Sequence, residues 1–267
     1  MKSKKIYLIL IAVVVAAGLI GWGVFQGIHP QSGVQAINTA QTIGKDIKKA
    51  SERVILKVND QEATERDWVW EYVNLRYNPA LSSKGDQELK VEALARLIED
   101  KVLLSEALKR GFGVSEEEAK SYTEKVRENV DSPNISQASK QFFEEFLQAL
   151  GLSEEKYWEQ IALRNYKAIL TVTRLKENLR GTIPPPTEEE IQAWEEKHPN
   201  YQNAPQEVLQ QEVAREKFDQ FFNAFENEIA QKAKVEVLDP QLQELLPQAL
   251  KLIEQGLEPI PIPTPSP

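Results

Sequence analysis

The sequence predicts a mainly α protein: several packed helices, a small two-stranded antiparallel sheet pairing the first and last strands, and one N-terminal transmembrane helix. Three observations carry this. Residues 6–25 are free of charge. Helix-start signals recur along the rest of the chain. Two short β-branched runs stand near opposite ends of the helical part, and neither is stable alone, so they are expected to pair with each other.

Ile6 to Phe25 would span about 30 Å as a helix, the thickness of a bilayer core. Tyr7 and Trp22 stand near its ends at headgroup level. Lys2, Lys4 and Lys5 should keep residues 1–5 cytoplasmic, which sends everything after Phe25 across the membrane. A cleaved signal peptide is the alternative. Its apolar region would be shorter, and the small-residue site Val34-Gln35-Ala36 lies well beyond the run. Residues 26–52, with Gly27, Pro30, Ser32, Gly33 and Gly44, read as a tether, helical near Ile43–Ala50.

Val54-Ile55-Leu56-Lys57-Val58 reads as a strand closed by a turn at Asn59-Asp60. Thr64, with Asp67 three residues on, opens a helix through about Tyr77. The next helix runs from about Gln87 to Lys109. Its apolar residues Val91, Leu94, Leu97, Ile98, Val102, Leu104 and Leu108 cover an arc of roughly 160°, wide enough for packing on two sides. Gly111 ends that helix, and Ser115 with Glu118 opens another. Phe143, Phe146, Leu147 and Leu150 line one face before Gly151 and Ser153, and a longer helix covers 155–180. After Pro184-Pro185-Pro186, Thr187 and Glu190 repeat the start signal. The last long helix, about Gln206 to Lys232, places Phe218, Phe221, Phe222, Phe225 and Ile229 within roughly 100° of arc. It leads to the alternating strand Lys234–Val237. Residues 239–267 complete the chain as a short amphipathic helix around Leu242–Ile253 and an extended tail of alternating proline.

Charge and composition narrow the function. The chain carries a net charge of −9; residues 1–28 contribute +3, so the remainder carries −12 (−9 minus +3). So acidic a portion would repel a phosphate backbone, which argues against nucleic acid as a partner. There is no cysteine, so disulfides, thiolate metal sites, a cysteine nucleophile and a lipid-modified cysteine are all excluded. Of the two histidines, His29 adjoins the apolar run and His198 precedes Pro199; neither has a catalytic partner near it in sequence. Glu116–Glu118 and Glu188–Glu190 fall in first helical turns, where the dipole explains them without a metal. No phosphate-binding glycine loop, zinc spacing or nucleophile elbow occurs. The residues imply no enzyme, no cofactor and no metal site.

The helix after Thr64 offers a candidate surface. Trp68, Tyr72 and Leu75 share one face; Val69, Trp70, Val73 and Tyr77 form a second arc. One face must join the core. The other either lines a groove for unfolded polypeptide, with Trp68, Trp70, Val73 and Tyr77 as the client-binding candidates, or is buried between neighbouring helices.

Taken in order, the run from Val54 to Asp67 resembles the opening strand, turn and capped helix of SurA/PrsA-type extracytoplasmic chaperones. Leu103-Leu104-Ser105-Glu106-Ala107-Leu108-Lys109-Arg110-Gly111, followed by Val114-Ser115-Glu116-Glu117, is similar to their next signature. Gly151–Tyr157, Thr187–Ile191 and the closing Ala233–Val237 resemble later segments, so the resemblance covers about residues 53–238. It implies a trigger-factor-like helical chaperone domain that binds unfolded or exported polypeptides. Many relatives insert a parvulin-type prolyl isomerase domain before the final long helix. Here that interval is only His198–Pro205, so isomerase activity is not implied and His198 is not a parvulin histidine. The expectation is therefore a membrane-anchored, ATP-independent holdase. The alternative is an envelope scaffold for one dedicated partner, with the 242–253 helix and the tail as docking elements.

Overall fold

A computed structural model describes residues 33–133, 135–202, 204–258 and 260. The expected cytoplasmic terminus and the expected transmembrane helix at 6–25 lie outside them. Among the described residues no helix is long and apolar enough to cross a membrane.

The described residues form nine helices and a three-stranded sheet. In chain order they are α1 (Gly33–Lys49), β1 (Val54–Val58), β2 (Gln61–Thr64), α2 (Glu65–Arg76), α3 (Asp86–Lys109), α4 (Glu116–Asp131) and α5 (Gln137–Leu150). A continuous helix α6 follows, made of Glu154–Lys156, a π-helical turn Tyr157–Ala162 and Leu163–Thr182. Then come α7 (Glu188–Lys197), α8 (Gln206–Gln231), β3 (Val235–Val237) and α9 (Pro240–Gln255).

The sheet order is β2-β1-β3, with both pairs antiparallel. Pairing of the first and last strands is as predicted, Leu56 opposite Val237. The sheet has three strands, however, because β2 hairpins onto β1 through Asn59-Asp60. Gln61–Thr64 has no β-branched run to announce a strand; the turn creates it. Asn59 adopts φ +54°, which a short amide side chain tolerates. Its side-chain oxygen also accepts from the Lys234 amide at 2.9 Å, tying the turn to β3. A bulge between Val54 and Leu56 lets the adjacent Ile55 and Leu56 both point inward, 1% and 0% exposed.

Three reciprocal capping boxes form as read: Thr64 with Asp67, Ser115 with Glu118, and Thr187 with Glu190. Gly111 and Gly151 end their helices at φ +82° and +79°, a conformation that favours glycine. The segment expected as a tether is different. From Gly33 to Lys49 it is helical, and Ala36, Ala40, Ile43 and Ile47, spaced at helical repeats, are buried against α5. The two helices touch at Gly44, where an added Cβ would lie 2.7 Å from the Phe146 carbonyl oxygen and from Ala149 Cβ. The tether's glycine is thus a close-approach site in the core. The helix expected outside the domain, α9, likewise buries Leu242, Leu245, Ala249 and Ile253 in the core beside the sheet.

Helix α3 is the axis. One side buries Val91, Leu94, Leu97, Ile98 and Val102 against the sheet and α9. The opposite side buries Leu103 and Ala107 against Leu175 and Leu179 of α6 and Phe218, Phe222 and Phe225 of α8. Two-sided packing was predicted, but Leu108, within the predicted arc, is 42% exposed, and the second side is made by Leu103 and Ala107, which lie outside that arc. A third cluster joins α1, α2, α4, α5 and the start of α6. There the π turn brings the consecutive Tyr157 and Trp158 both against Phe143, with ring centroids 5.3 and 6.0 Å away.

Candidate functional site

Helix α2 is pinned at its start by the Thr64–Asp67 box, and Asp67 also receives Arg164 of α6 at 2.9 Å. Its candidate residues separate. Val73 is 1% exposed and lies in the core, so it is not available to a client while the helix is docked. Trp68, Trp70 and Tyr77 are half-buried and pack against that core. Trp68 stacks on Tyr72 at 5.6 Å and 7°, whereas Trp70 meets Phe146 of α5 edge-on at 5.9 Å and 86°. Both apolar arcs of the helix are therefore covered, by α3 on one side and α1 with α5 on the other. Trp68 Nε1 and Asn74 Nδ2 are buried and make no hydrogen bond among the described residues.

Between the arcs Glu71 opens a different feature. It faces Asp100 of α3, and nearby Glu99 of α3 faces Glu226 of α8. Burial is the main force on each carboxyl: Glu71 and Glu226 are pushed up to about 8, Glu99 to about 7, and Asp100 is raised as well. Mutual repulsion adds to the rise in Glu71, Glu99 and Glu226, while Arg96, Lys101 and Lys176 oppose it in part. Asp100 nevertheless reaches water. The four carboxyls thus gather into one cluster on α2, α3 and α8, with Lys176 of α6 among them. Among the described residues no group of acids is arranged to hold a metal ion.

The α8 phenylalanines are linked to this cluster through Lys176. Phe218, Phe222 and Phe225 are 6%, 6% and 9% exposed, and each ring face is covered by a cation: Arg180 at 4.4 Å, Lys176 at 4.5 Å and Arg110 at 4.9 Å. Lys176 belongs to both features, since it also faces Glu99, Asp100 and Glu226. Phe221, expected on the same face, is 41% exposed. At 100° per residue it lies about 60° from Phe218, at the edge of the arc, where the neighbouring helices no longer reach. Farther out, α7 and the start of α8 form a separate tip around Ile191, Leu209 and Val213. His198 ends α7 stacked on Trp194 at 3.9 Å, with Nδ1 2.8 Å from the Trp194 carbonyl oxygen; this is a packing role.

The sequence did not announce Glu71, Glu99, Asp100 and Glu226 as a group, because they come from distant segments. The available signals were Glu71 interrupting two apolar arcs and Phe221 at the margin of the phenylalanine stripe.

Residues 1–165 match the family of SurA-like N-terminal domains. The chain belongs to that family. No curated protein and no solved structure matches it. The match runs from the N-terminus into α6; α7, α8, β3 and α9 lie beyond it. A SurA-like N-terminal domain is the non-catalytic, chaperone part of such proteins and binds polypeptide, and no parvulin domain is evident in the 267 residues.

Proposed function

We propose that this SurA-like chain is an ATP-independent holdase for unfolded or newly exported polypeptides, held at the outer face of a membrane by residues 6–25. The observation that carries the reading is the match of residues 1–165 to the SurA-like N-terminal domain, the polypeptide-binding, non-catalytic part of such proteins. Phe221, 41% exposed at the edge of the α8 stripe, and the half-buried ring of Trp68 offer apolar contacts to an unfolded chain. Such contacts demand no particular sequence. The uncharged run at 6–25, with lysines on its N-terminal side, supports the anchor and its orientation.

The test is suppression of aggregation of a chemically denatured client by the purified full chain. Suppression at a one-to-one ratio is the expected outcome; none at stoichiometric excess would sink the holdase reading. Co-purification should yield a heterogeneous set of polypeptides, whereas one stoichiometric partner would favour the scaffold. Protease added outside intact cells should remove the described domain and spare a tag at Met1; protection of the domain would overturn the orientation.

A further inference from the structure

The chain does not leave the body where α9 ends. Gly256 closes the helix at φ +82°, and the next residues lie across a seam between two parts of the core. Leu257 packs against the cluster of the sheet, α3 and α9, and Ile260 against the cluster of α1, α2 and α5. Trp68 packs against both clusters, which places it at the seam.

Between these two side chains the contact is to the backbone. Arg96 Nη2 of α3 donates to the Glu258 carbonyl oxygen at 2.6 Å. The guanidinium is held ready for this. Its Nε and Nη2 donate to Glu92 Oε1 at 3.1 and 2.6 Å, and Glu92, 5% exposed, receives Lys84 on its other oxygen at 2.7 Å. A fixed donor aimed at a main-chain carbonyl reads an extended chain without reading its side chains.

The tail suits such a site. In an extended polyproline-type chain, residues three apart, as Leu257 and Ile260 are in sequence, fall on one face. In the sequence proline recurs at 259, 261, 263, 265 and 267, a residue type that fixes φ and carries no backbone donor. Stiff peptides of this kind dock on aromatic-lined surfaces at low entropic cost.

We propose that Arg96 and the seam at Trp68 form a docking site for extended, proline-containing apolar peptide, and that Leu257, Glu258 and Ile260 of this chain occupy it in cis. The inference deepens the holdase reading and rests on it: the resident tail competes with clients of the same chemistry. A tethered segment has an effective concentration on the order of millimolar, so it outcompetes any free peptide of micromolar affinity by a large factor.

The experiment uses a fluorescent synthetic peptide with the sequence of residues 256–267, titrated by anisotropy against three forms of the full-length chain: the natural one, one ending at Gly256, and one carrying Ile260→Glu. The natural chain should bind weakly. Both altered chains should bind at least about ten-fold tighter, and Arg96→Lys in the shortened chain should remove most of that gain. Ile260 is only half-buried, so Ile260→Glu frees the tail even if shortening perturbs the fold. If neither altered chain binds tighter than the natural one, the proposal is overturned. Aggregation suppression separates it from the holdase reading. Tight peptide binding without suppression by any form keeps the docking site and removes the holdase. Equal suppression by all forms without peptide binding does the reverse.

Discussion

Helices α2 and α8 are both rich in aromatic residues at helical spacing, and the fold treats them differently. Helix α2 distributes Trp68, Trp70, Tyr72 and Tyr77 around its circumference, and neighbours cover it on two sides. Helix α8 gathers Phe218, Phe222 and Phe225 into one stripe, buries that stripe on α3 and α6, and leaves the rest of its surface to water. Helical spacing states which residues share a face. It does not state how many faces have neighbours. The candidate surface therefore shifts from the middle of α2, where Val73 is core, to the carboxyl cluster between the two helices and, on the other flank of the α8 stripe, to the exposed Phe221.

The largest effect expected from breaking this contrast is at the centre of the stripe. Phe222→Ala removes a ring that fills the space between α3 and α6 and seats Lys176, so it should cost about 3–5 kcal/mol in urea unfolding. Trp70→Ala, on a half-buried ring with one edge-on partner, should cost clearly less. A loss at Phe222 no greater than that at Trp70 would show that the stripe is not the better-packed of the two.

The two helices also share a titrating feature, Glu71 from one and Glu226 from the other. Their folded values, about 8, lie above the ordinary value of 4.5, as does Glu99 at about 7. The folded form therefore binds more protons than the unfolded form between those limits. The stability this confers is complete below about pH 4.5 and is lost as pH rises through 7 and 8. Carboxylates held by hydrogen bonds or cations, such as Asp60, Glu92 and Asp239, are lowered and act in the opposite sense, losing their contribution as pH falls below the usual carboxylate range. Thermal midpoints should therefore decline from pH 6 to pH 8.5, and Glu71→Gln with Glu226→Gln should flatten that decline. An unchanged slope in the double variant would mean that these carboxyls are open to bulk water.

Local signals in the sequence were legible and remote ones were not. Thr64, Ser115 and Thr187 announced helix starts because each cap is completed within three residues. Gly111 and Gly151 announced helix ends for the same reason. Strand β2 was invisible because Gln61–Thr64 becomes a strand only when Asn59-Asp60 folds it onto β1. Helix α1 was misread because Gly33 and Gly44 suggested a flexible tether, when Gly44 serves the approach of α5. The site was the least legible part. Its carboxylates are brought together by the packing of α2, α3 and α8, and Arg96 meets the tail 162 positions away in sequence.

The smallest expected effect on stability falls at Phe221, and it gives the sharpest reading of function. At 41% exposed, Phe221 loses little packing on substitution, so Phe221→Ser should change unfolding free energy by no more than about 0.5 kcal/mol. If this exposed ring contacts clients, the same variant should need roughly five-fold more protein for equal suppression of aggregation, because an apolar contact of about 1 kcal/mol is lost. Trp70→Ala cannot make this separation, since its ring supports the fold and any loss of activity would follow from lost packing. Suppression unchanged by Phe221→Ser would move client contact away from α8. A loss of suppression without a loss of stability would place it there, on the one large aromatic of the stripe that the fold itself does not use.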